Sequence, residues 1–201
     1  MQDLLRNTPP ITLVVVSISI GLSLLASLKI ISPFSISLDW FGIQRGEYYR
    51  LITGFLFFGP ISLNWIFFVS QNIKYISALE KESYAGKKKE LILLIVYTWI
   101  CTLLLSRFVA KMSYAAMPFF SVLSYVWTKK HRDQIFVAFG FLHFPASYLP
   151  VFNVVVAVMQ QQSLLVPIFG ILVGHIWWFI DDVVPGLTGV DLIRKIAKTK
   201  K

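Results

Sequence analysis

Three residues have the types that nucleophilic catalysis would need: Ser121 and Ser124 in one apolar run, and His175 in another. A serine nucleophile needs a base within hydrogen-bond reach, and it commonly stands beside a glycine that permits close approach. Neither serine has a neighbouring glycine, and the histidine lies in a different run. The pattern therefore does not favour a serine hydrolase.

The histidines of the chain do not form a pattern that is typical of a metal site. His131, His143 and His175 lie in different segments, with no pair four residues apart and no His-Glu-x-x-His motif. Zinc sites in helical proteins usually rely on such spacings. We therefore predict neither a metal ion nor another cofactor.

The composition predicts an integral membrane protein. Hydrophobic residues make up 56% of the 201 residues and charged residues only 14%, whereas a soluble domain carries ~25% charged residues. The formal net charge is +9, which in a soluble protein could indicate nucleic-acid binding. In a membrane protein such an excess more often marks cytoplasmic loops, so we predict no nucleic-acid partner.

Long apolar runs predict an all-α fold of six transmembrane helices in a single domain, residues 1–201. The predicted segments are 11–31, 53–77, 91–106, 112–127, 135–159 and 164–184. The first run is too long for a cleavable signal peptide, so we expect it to remain as a helix. The third and fourth would span only ~24 Å at 1.5 Å per residue, which predicts either that they fray into the interface or that the bilayer is locally thinner. Gly140, Pro145 and Pro150 predict a kink or a break in the fifth.

The distribution of basic residues predicts the orientation. With six crossings both termini lie on one side, and that side holds 14 of the 19 Lys and Arg residues, leaving five on the other. Lys and Arg concentrate on the cytoplasmic side of membrane proteins. Both termini are therefore predicted to be cytosolic, with the loop 32–52 in the opposite interface.

Amide side chains occur in or beside the second and fifth segments, at Asn64, Gln71, Asn72 and Asn153. In a bilayer such groups usually hydrogen-bond across helices. If the second and fifth segments are neighbours, the same amides would line a polar cavity. The sequence leaves both interpretations open.

Small and charged residues near the helix ends predict how the segments are held. Gly170 and Gly174 form a GxxxG motif, which lets two helix backbones approach closely. We expect leucine at either position to overpack the contact, and alanine to be tolerated much better. Glu80 is expected to pair with a nearby lysine, and Asp182 to lie in the interface at the end of the sixth segment.

A lone arginine precedes the second segment on the side that is depleted in basic residues. Arg50 follows Tyr48 and Tyr49, and its planar guanidinium can stack on a ring while it donates to loop carbonyls. We predict that Tyr49 and Arg50 organise the loop 32–52 at the membrane interface.

Taken in order, a set of short motifs resembles the derlin family over nearly the whole chain. The motifs are Thr8-Pro9-Pro10-Ile11-Thr12, Ile31-Ser32-Pro33, Gly46-Glu47-Tyr48-Tyr49-Arg50, Leu79-Glu80, Ser121-Val122-Leu123-Ser124-Tyr125-Val126-Trp127 with Arg132-Asp133 beyond it, Ala146-Ser147-Tyr148-Leu149-Pro150, and Gly170-Ile171-Leu172-Val173-Gly174-His175 before Asp182 and Pro185. No single motif decides the resemblance, but their combination is specific.

The resemblance implies a rhomboid-like fold without protease activity, in the endoplasmic reticulum (ER) membrane, with cytosolic termini. Derlins act in ER-associated degradation, so the implied partners are misfolded proteins, a membrane ubiquitin ligase complex and a cytosolic AAA ATPase, in a homo- or hetero-oligomer within the lipid bilayer. In the family view the bilayer is thinned and the second and fifth segments form a lateral gate. Because only Lys-rich sequence follows the sixth segment, we expect contact with the ATPase to be indirect.

The resemblance also implies roles for individual residues. Tyr49 and Arg50 stand where the family has a Trp-Arg pair, and Glu80, His175 and Asp182 match other family positions. In rhomboid proteases the catalytic histidine precedes the small-residue motif by about one turn, and this chain has Pro167 there. Three alternatives remain: a derlin that imports proteins across a plastid-surrounding membrane, a rhomboid-type serine protease, and a small solute channel.

Overall fold

The computed structural model describes residues 9–109, 112–138, 141–159, 161 and 163–198. Most of this part of the chain is helical. The helices are α1 (Pro10–Ser27), α2 (Trp40–Gln44), α3 (Arg50–Leu56), α4 (Leu63–Ala78), α5 (Lys88–Leu104), α6 (Ala116–Lys130), α7 (Leu149–Met159), α8 (Leu165–Trp178), α9 (Val184–Thr188) and α10 (Leu192–Lys198). One antiparallel hairpin joins β1 (Ile135–Ala138) to β2 (Leu142–Pro145).

Three of the described helices are long and apolar enough to cross a membrane: Pro10–Ser27, Lys88–Val109 and Leu165–Thr188. The last two continue through π-helical turns, Leu105–Val109 after α5 and Phe179–Val183 after α8. The chain is therefore a mostly helical membrane protein. The count of six crossings stays a prediction, because only these three of the described helices are both long and apolar enough.

The third predicted segment is longer than the apolar pattern indicated. With its π turn it has 22 residues, or ~33 Å at 1.5 Å per residue, so the prediction of a short third helix is wrong. Lys88, Lys89 and Glu90 extend the helix at its first turn, where an acidic residue also favours the positive end of the helix dipole. The fourth segment is short, as predicted: α6 has 15 residues.

The second predicted segment is not one continuous helix. An irregular stretch, residues 57–62, separates α3 from α4. Pro60 lacks a backbone N–H and would break a helical hydrogen bond, and the Ser62 hydroxyl caps α4 by accepting from the Trp65 N–H at 3.1 Å. The freed N–H of Ile61 donates to the Ser27 hydroxyl of α1 at 2.8 Å, which satisfies a donor that lipid would leave unpaired.

The first half of the fifth predicted segment is a β-hairpin, so the all-α prediction is wrong at this point. Phe136 of β1 stands opposite Phe144 of β2, and the β-branched and aromatic residues of this run suit a strand. The predicted break does occur, because Pro145 ends the hairpin and Pro150 falls in the first turn of α7, where proline is tolerated. Gly140 lies outside the described residues.

Helix α6 lies at the centre of the bundle. All seven of its residues from 122 to 128 are buried, because α8 packs along one side while α4, α5 and α7 pack on others. The chain thus folds around a short helix, and the candidate site residues lie on its surfaces.

Glu80 caps α1 from a position 68 residues along the chain. Its Oε1 accepts from the Ile11 N–H at 2.9 Å, and its Oε2 accepts from the N–H and the hydroxyl of Thr12, both at 2.8 Å. The first N–H groups of a helix have no intrahelical partners, and a carboxylate there also favours the helix dipole. Glu80 therefore binds α1. The expected pairing of Glu80 with a nearby lysine is wrong, because Lys87 pairs with Glu90 at 3.7 Å.

We expect Glu80→Ala to lower the melting temperature in detergent and the level of protein in the membrane. The change leaves buried donors of α1 unpaired, and hydrogen bonds to a charged group contribute ~1.5–3 kcal/mol each. Unfolding can be followed with a thiol-reactive dye, because Cys101 is the single cysteine of the chain. Glu82→Ala is the matched control, since its pairing with His131 is partly exposed and such pairs contribute ~0–1 kcal/mol. Equal melting of the two variants would contradict the capping role.

Candidate functional site

Ser121 and Ser124 face a small cavity that α7 and α8 close against α6. Its volume is ≈ 10 Å³, and it is lined by Ser121, Ser124, Tyr125, Thr128, Pro150, Asn153, Pro167 and Ile171. Ser124 Oγ donates to the Ser121 carbonyl at 2.9 Å, a bond that uses the hydroxyl within its own helix. Pro167, which has no group that accepts a proton, is among the lining residues, and the described lining contains no His, Asp, Glu or Lys.

His175 lies one turn or more away from this cavity on α8. Its Nδ1 is 2.9 Å from the Tyr125 hydroxyl, and its ring centre is 5.3 Å from that of Trp178. His131 binds Glu82 at 3.0 Å, so His131 and His175 have different partners. Among the described residues, no group of three or more His, Cys, Asp or Glu side chains is placed to hold a metal ion.

Gly170 and Gly174 form the contact through which α8 packs against α6. A Cβ atom at Gly170 would lie 2.8 Å from the backbone carbonyl carbon of Ser121, and one at Gly174 would lie 2.8 Å from Cδ1 of Tyr125. Neither distance is compatible with normal packing. At Gly170 the added atom would meet first the Ser121 hydroxyl and then the Ser121 backbone. The backbone moves only with the whole helix, so the expected tolerance of alanine does not hold there.

The amides predicted to form a polar cavity have separate surroundings. Asn153 lines the small cavity beside the serines, whereas the buried Asn72 donates through Nδ2 to the Phe68 carbonyl of its own helix at 2.9 Å. The Oε1 of Gln71 is buried and has no hydrogen-bond partner in the described part of the chain. The side chain of Asn64 lies outside the described residues. A larger cavity, ≈ 240 Å³, is lined by apolar side chains of α1, α3, α4, α5 and α6.

A chain of aromatic rings connects the second and fifth segments through the hairpin. The ring centres of Tyr75 on α4 and Phe136 on β1 are 6.3 Å apart, those of Phe136 and Phe144 are 5.4 Å apart, and those of Phe144 and Phe152 on α7 are 5.0 Å apart. Each such pair contributes ~0.5–1.5 kcal/mol beyond its buried area. The hairpin therefore links the two segments through side chains that can separate without breaking a hydrogen bond.

Arg50 ties together the loop that precedes α3. Its Nη1 donates to the carbonyls of Phe34 at 2.8 Å and Ser37 at 3.1 Å, and its Nε pairs with Glu47. Its guanidinium carbon is 5.6 Å from the centre of the Tyr49 ring. The planar fork of arginine makes these contacts at once, and an ammonium group has no equivalent geometry.

A buried polar network joins the end of α6 to the end of α8. Lys130 Nζ is 2.7 Å from Asp181 and 2.9 Å from Asp182. Tyr84 donates to Asp181 at 2.6 Å and accepts from the Trp177 indole at 3.0 Å. Burial, together with the Asp181 carboxylate, raises the pKa of Tyr84 far above its usual range, so the hydroxyl stays a donor.

Comparison with known proteins identifies the family. Residues 8–195 match the Der1-like family. The chain belongs to the Der1-like, or derlin, family. It is 26% identical to an uncharacterised derlin-like protein of Schizosaccharomyces pombe, over 90% of this chain and 96% of the relative. It is also similar to derlin-2.1 of Zea mays (26% identity, 94% of this chain and 80% of the relative) and to a probable derlin-2 homologue of Dictyostelium discoideum (24%, 98% and 79%).

The resemblance inferred from the short motifs is thus confirmed. Derlins are rhomboid-like and are generally considered non-catalytic. In this derlin the sequence reasoning missed Lys130, Tyr84 and Trp177, which hold Asp181 and Asp182 in place. The signal was the acidic pair itself: two adjacent carboxylates at the end of an apolar helix need cations or donors nearby. The sequence could not identify Lys130 and Tyr84 as these partners, because they lie 51 and 97 residues from Asp181.

We expect Gly170→Ala to destabilise this derlin, since the added methyl group meets the Ser121 backbone and α6 and α8 must separate. Overpacking of this kind typically costs ~1–3 kcal/mol. The readout is the melting temperature in detergent, followed through Cys101. Gly21→Ala is the control, because no heavy atom lies within 4 Å of a Cβ added at Gly21. Equal melting temperatures for the two variants would mean that the α6–α8 contact accommodates a side chain.

Proposed function

We propose that this derlin assists the passage of misfolded polypeptides from the ER to the cytosol without hydrolysing them. The observation that supports this most directly is helix length. Helix α6 has 15 residues, and α7 has 11 after a three-residue turn, Ala146–Tyr148. At 1.5 Å per residue these elements span ~21–23 Å, well below the ~30 Å hydrocarbon core of a typical bilayer.

The two short helices are neighbours, because α6 packs against α7. A bilayer adapts to a short hydrophobic element by thinning around it. Two short elements side by side therefore favour one thinned zone rather than scattered defects. A polar polypeptide that crosses beside them would meet a narrower apolar barrier.

Two features support a non-enzymatic route beside α4 and α7. Pro167 stands where the resemblance to rhomboid proteases places the catalytic histidine, and it lines the cavity at Ser121 and Ser124. The buried amide oxygen of Gln71 on α4 lacks a partner in the described part of the chain, and such an acceptor suits the backbone N–H of a passing chain. Binding and release, rather than bond cleavage, is the chemistry that these groups can perform.

The proposal includes an orientation and a set of partners. We infer six crossings with cytosolic termini in the ER membrane, supported by the 14 of 19 basic residues on that side. The expected partners are misfolded substrates, a membrane ubiquitin ligase complex and, indirectly, a cytosolic AAA ATPase, with homo- or hetero-oligomers of the derlin. Family membership supports these partners.

Lengthening α7 tests the proposal. Four apolar residues inserted after Met159, at the end of the helix, would add ~6 Å of hydrophobic length without shifting the packing before the insertion. If thinning beside α7 assists passage, the half-life of a misfolded ER protein should increase in cells that express this variant in place of the native protein.

The control is an insertion of four Ser and Gly residues at the same site, which lengthens the loop but not the apolar helix. It should leave the substrate half-life near that of the wild type. The abundance of both variants is measured in parallel. A normal half-life with the apolar insertion, at normal abundance, would rule out thinning at α7 as the basis of the function.

Arg50 gives a second prediction within the proposed function. Arg50→Lys keeps the charge but loses the simultaneous contacts with Phe34, Ser37 and Glu47, so Lys and Ala should both slow degradation of the substrate. Arg45→Lys and Arg45→Ala are the controls, because Arg45 lies over the Phe41 ring in the same loop and should act only as an interfacial cation. If cells with the Arg50→Lys variant degrade the substrate as fast as wild-type cells, the charge alone accounts for the role of Arg50.

A further inference from the structure

Two cations lie on the ring of Trp178 without a counter-charge. Lys129 Nζ is 5.1 Å and the Arg132 guanidinium carbon is 4.9 Å from the centre of that ring. Neither cation has an ion-pair partner within the described residues, whereas the adjacent Lys130 and His131 both contact carboxylates. Two like charges on one ring repel each other, so the position between them favours an anion.

Local contacts hold the two cations close to each other. Arg132 Nε donates to the backbone carbonyl of Lys129 at 3.3 Å, and Lys129 Nζ is also 5.4 Å from the centre of the Tyr125 ring. The terminal nitrogens of Arg132 have no hydrogen-bond acceptor among the described residues. These nitrogens form the planar fork that binds two oxygens of a phosphate group. Asp133 follows directly in the sequence but forms no ion pair with either cation in the described part of the chain.

An exposed apolar stripe lies on α8 and its π turn and ends at Phe179, the residue that follows Trp178. Leu172, Ile176 and Phe179 are 60%, 52% and 44% exposed, and their spacing of three and four residues places them on one face. In a membrane protein such a face contacts acyl chains, and tryptophan residues settle at the headgroup level. Trp178, beside the last residue of the stripe, therefore marks the depth at which lipid phosphates lie.

We propose that Lys129 and Arg132, gathered on the Trp178 ring, bind the phosphate of an anionic phospholipid whose acyl chain lies along the stripe of Leu172, Ile176 and Phe179. An anionic lipid is favoured over a zwitterionic one, because phosphatidylcholine carries its own ammonium group beside the phosphate. Free phosphate shares the headgroup chemistry but has no acyl chain for the stripe. The site is separate from the cavity at Ser121 and does not depend on the proposed function.

The test measures lipid that stays bound to the purified protein. Detergent-solubilised protein is incubated with equal amounts of phosphatidylinositol and phosphatidylcholine, washed, and analysed by mass spectrometry for retained lipid. The wild type should be enriched in phosphatidylinositol, and Lys129→Gln/Arg132→Gln should lose this enrichment, by roughly fivefold for each cation removed. Inorganic phosphate added at millimolar concentration should leave the retained lipid unchanged.

Lys88→Gln/Lys89→Gln is the matched control, because it removes two exposed cations at the start of α5. It should retain phosphatidylinositol as the wild type does. An equal loss in both double variants would overturn the proposal and would indicate diffuse surface charge instead. If inorganic phosphate displaces the lipid, the ligand is free phosphate and not a phospholipid. If the double variant does not fold, the exposed Arg132→Gln alone should give a partial loss, and full retention would overturn the site.

Discussion

The close approach of α6 and α8 determines where most of the functional side chains lie. Gly170 and Gly174 have no side chains, so the α8 backbone comes near enough to bury one side of α6. In lipid, where helices gain little from the hydrophobic effect, close packing of this kind is a main source of association. The same contact leaves only ≈ 10 Å³ beside Ser121, with Pro167 against it. The packing that stabilises the bundle therefore leaves little free space beside Ser121.

A second consequence of this contact appears at the end of the two helices. Once α8 lies on α6, Lys130 comes within 2.7 Å of Asp181, and Tyr84 and Trp177 complete their hydrogen bonds. Removing one partner of a buried ion pair costs far more than the pair contributes, because the remaining charge is left uncompensated. The network therefore acts mainly to fix the register of α8 on α6 and to hold the turn after α4. Glu80 then positions α1 from that same turn.

The sequence could predict the membrane environment, the helical class, the family and the short fourth helix, because each depends on composition or local pattern. The break before α4 also had a local signal, Gly59-Pro60, which the length of the apolar run obscured. The hairpin was missed for a related reason, since an apolar run does not distinguish a strand from a buried helix by periodicity. The partners of Glu80, Gly170 and Lys130 lie 49 or more residues away, so no local pattern could identify them. Tertiary packing selects such partners.

The way each helix is attached bears on which part of the bundle could open for a polypeptide. Helix α1 is held by the Glu80 carboxylate, α8 by Lys130 and the glycine contact, and the loop before α3 by Arg50. The link from α4 through the hairpin to α7 includes one exposed hydrogen bond, from Gln134 to Glu82 at 3.3 Å. Its other described contacts are between rings, and these exchange readily for contacts with lipid or substrate side chains. A face of α7 that includes Val151, Val155 and Met159 is exposed, so little covers the helix on that side. Under the proposed function, α7 and the hairpin are therefore the elements whose displacement requires the least free energy. Separating apolar rings in an apolar solvent leaves no buried charge and no unpaired backbone group behind.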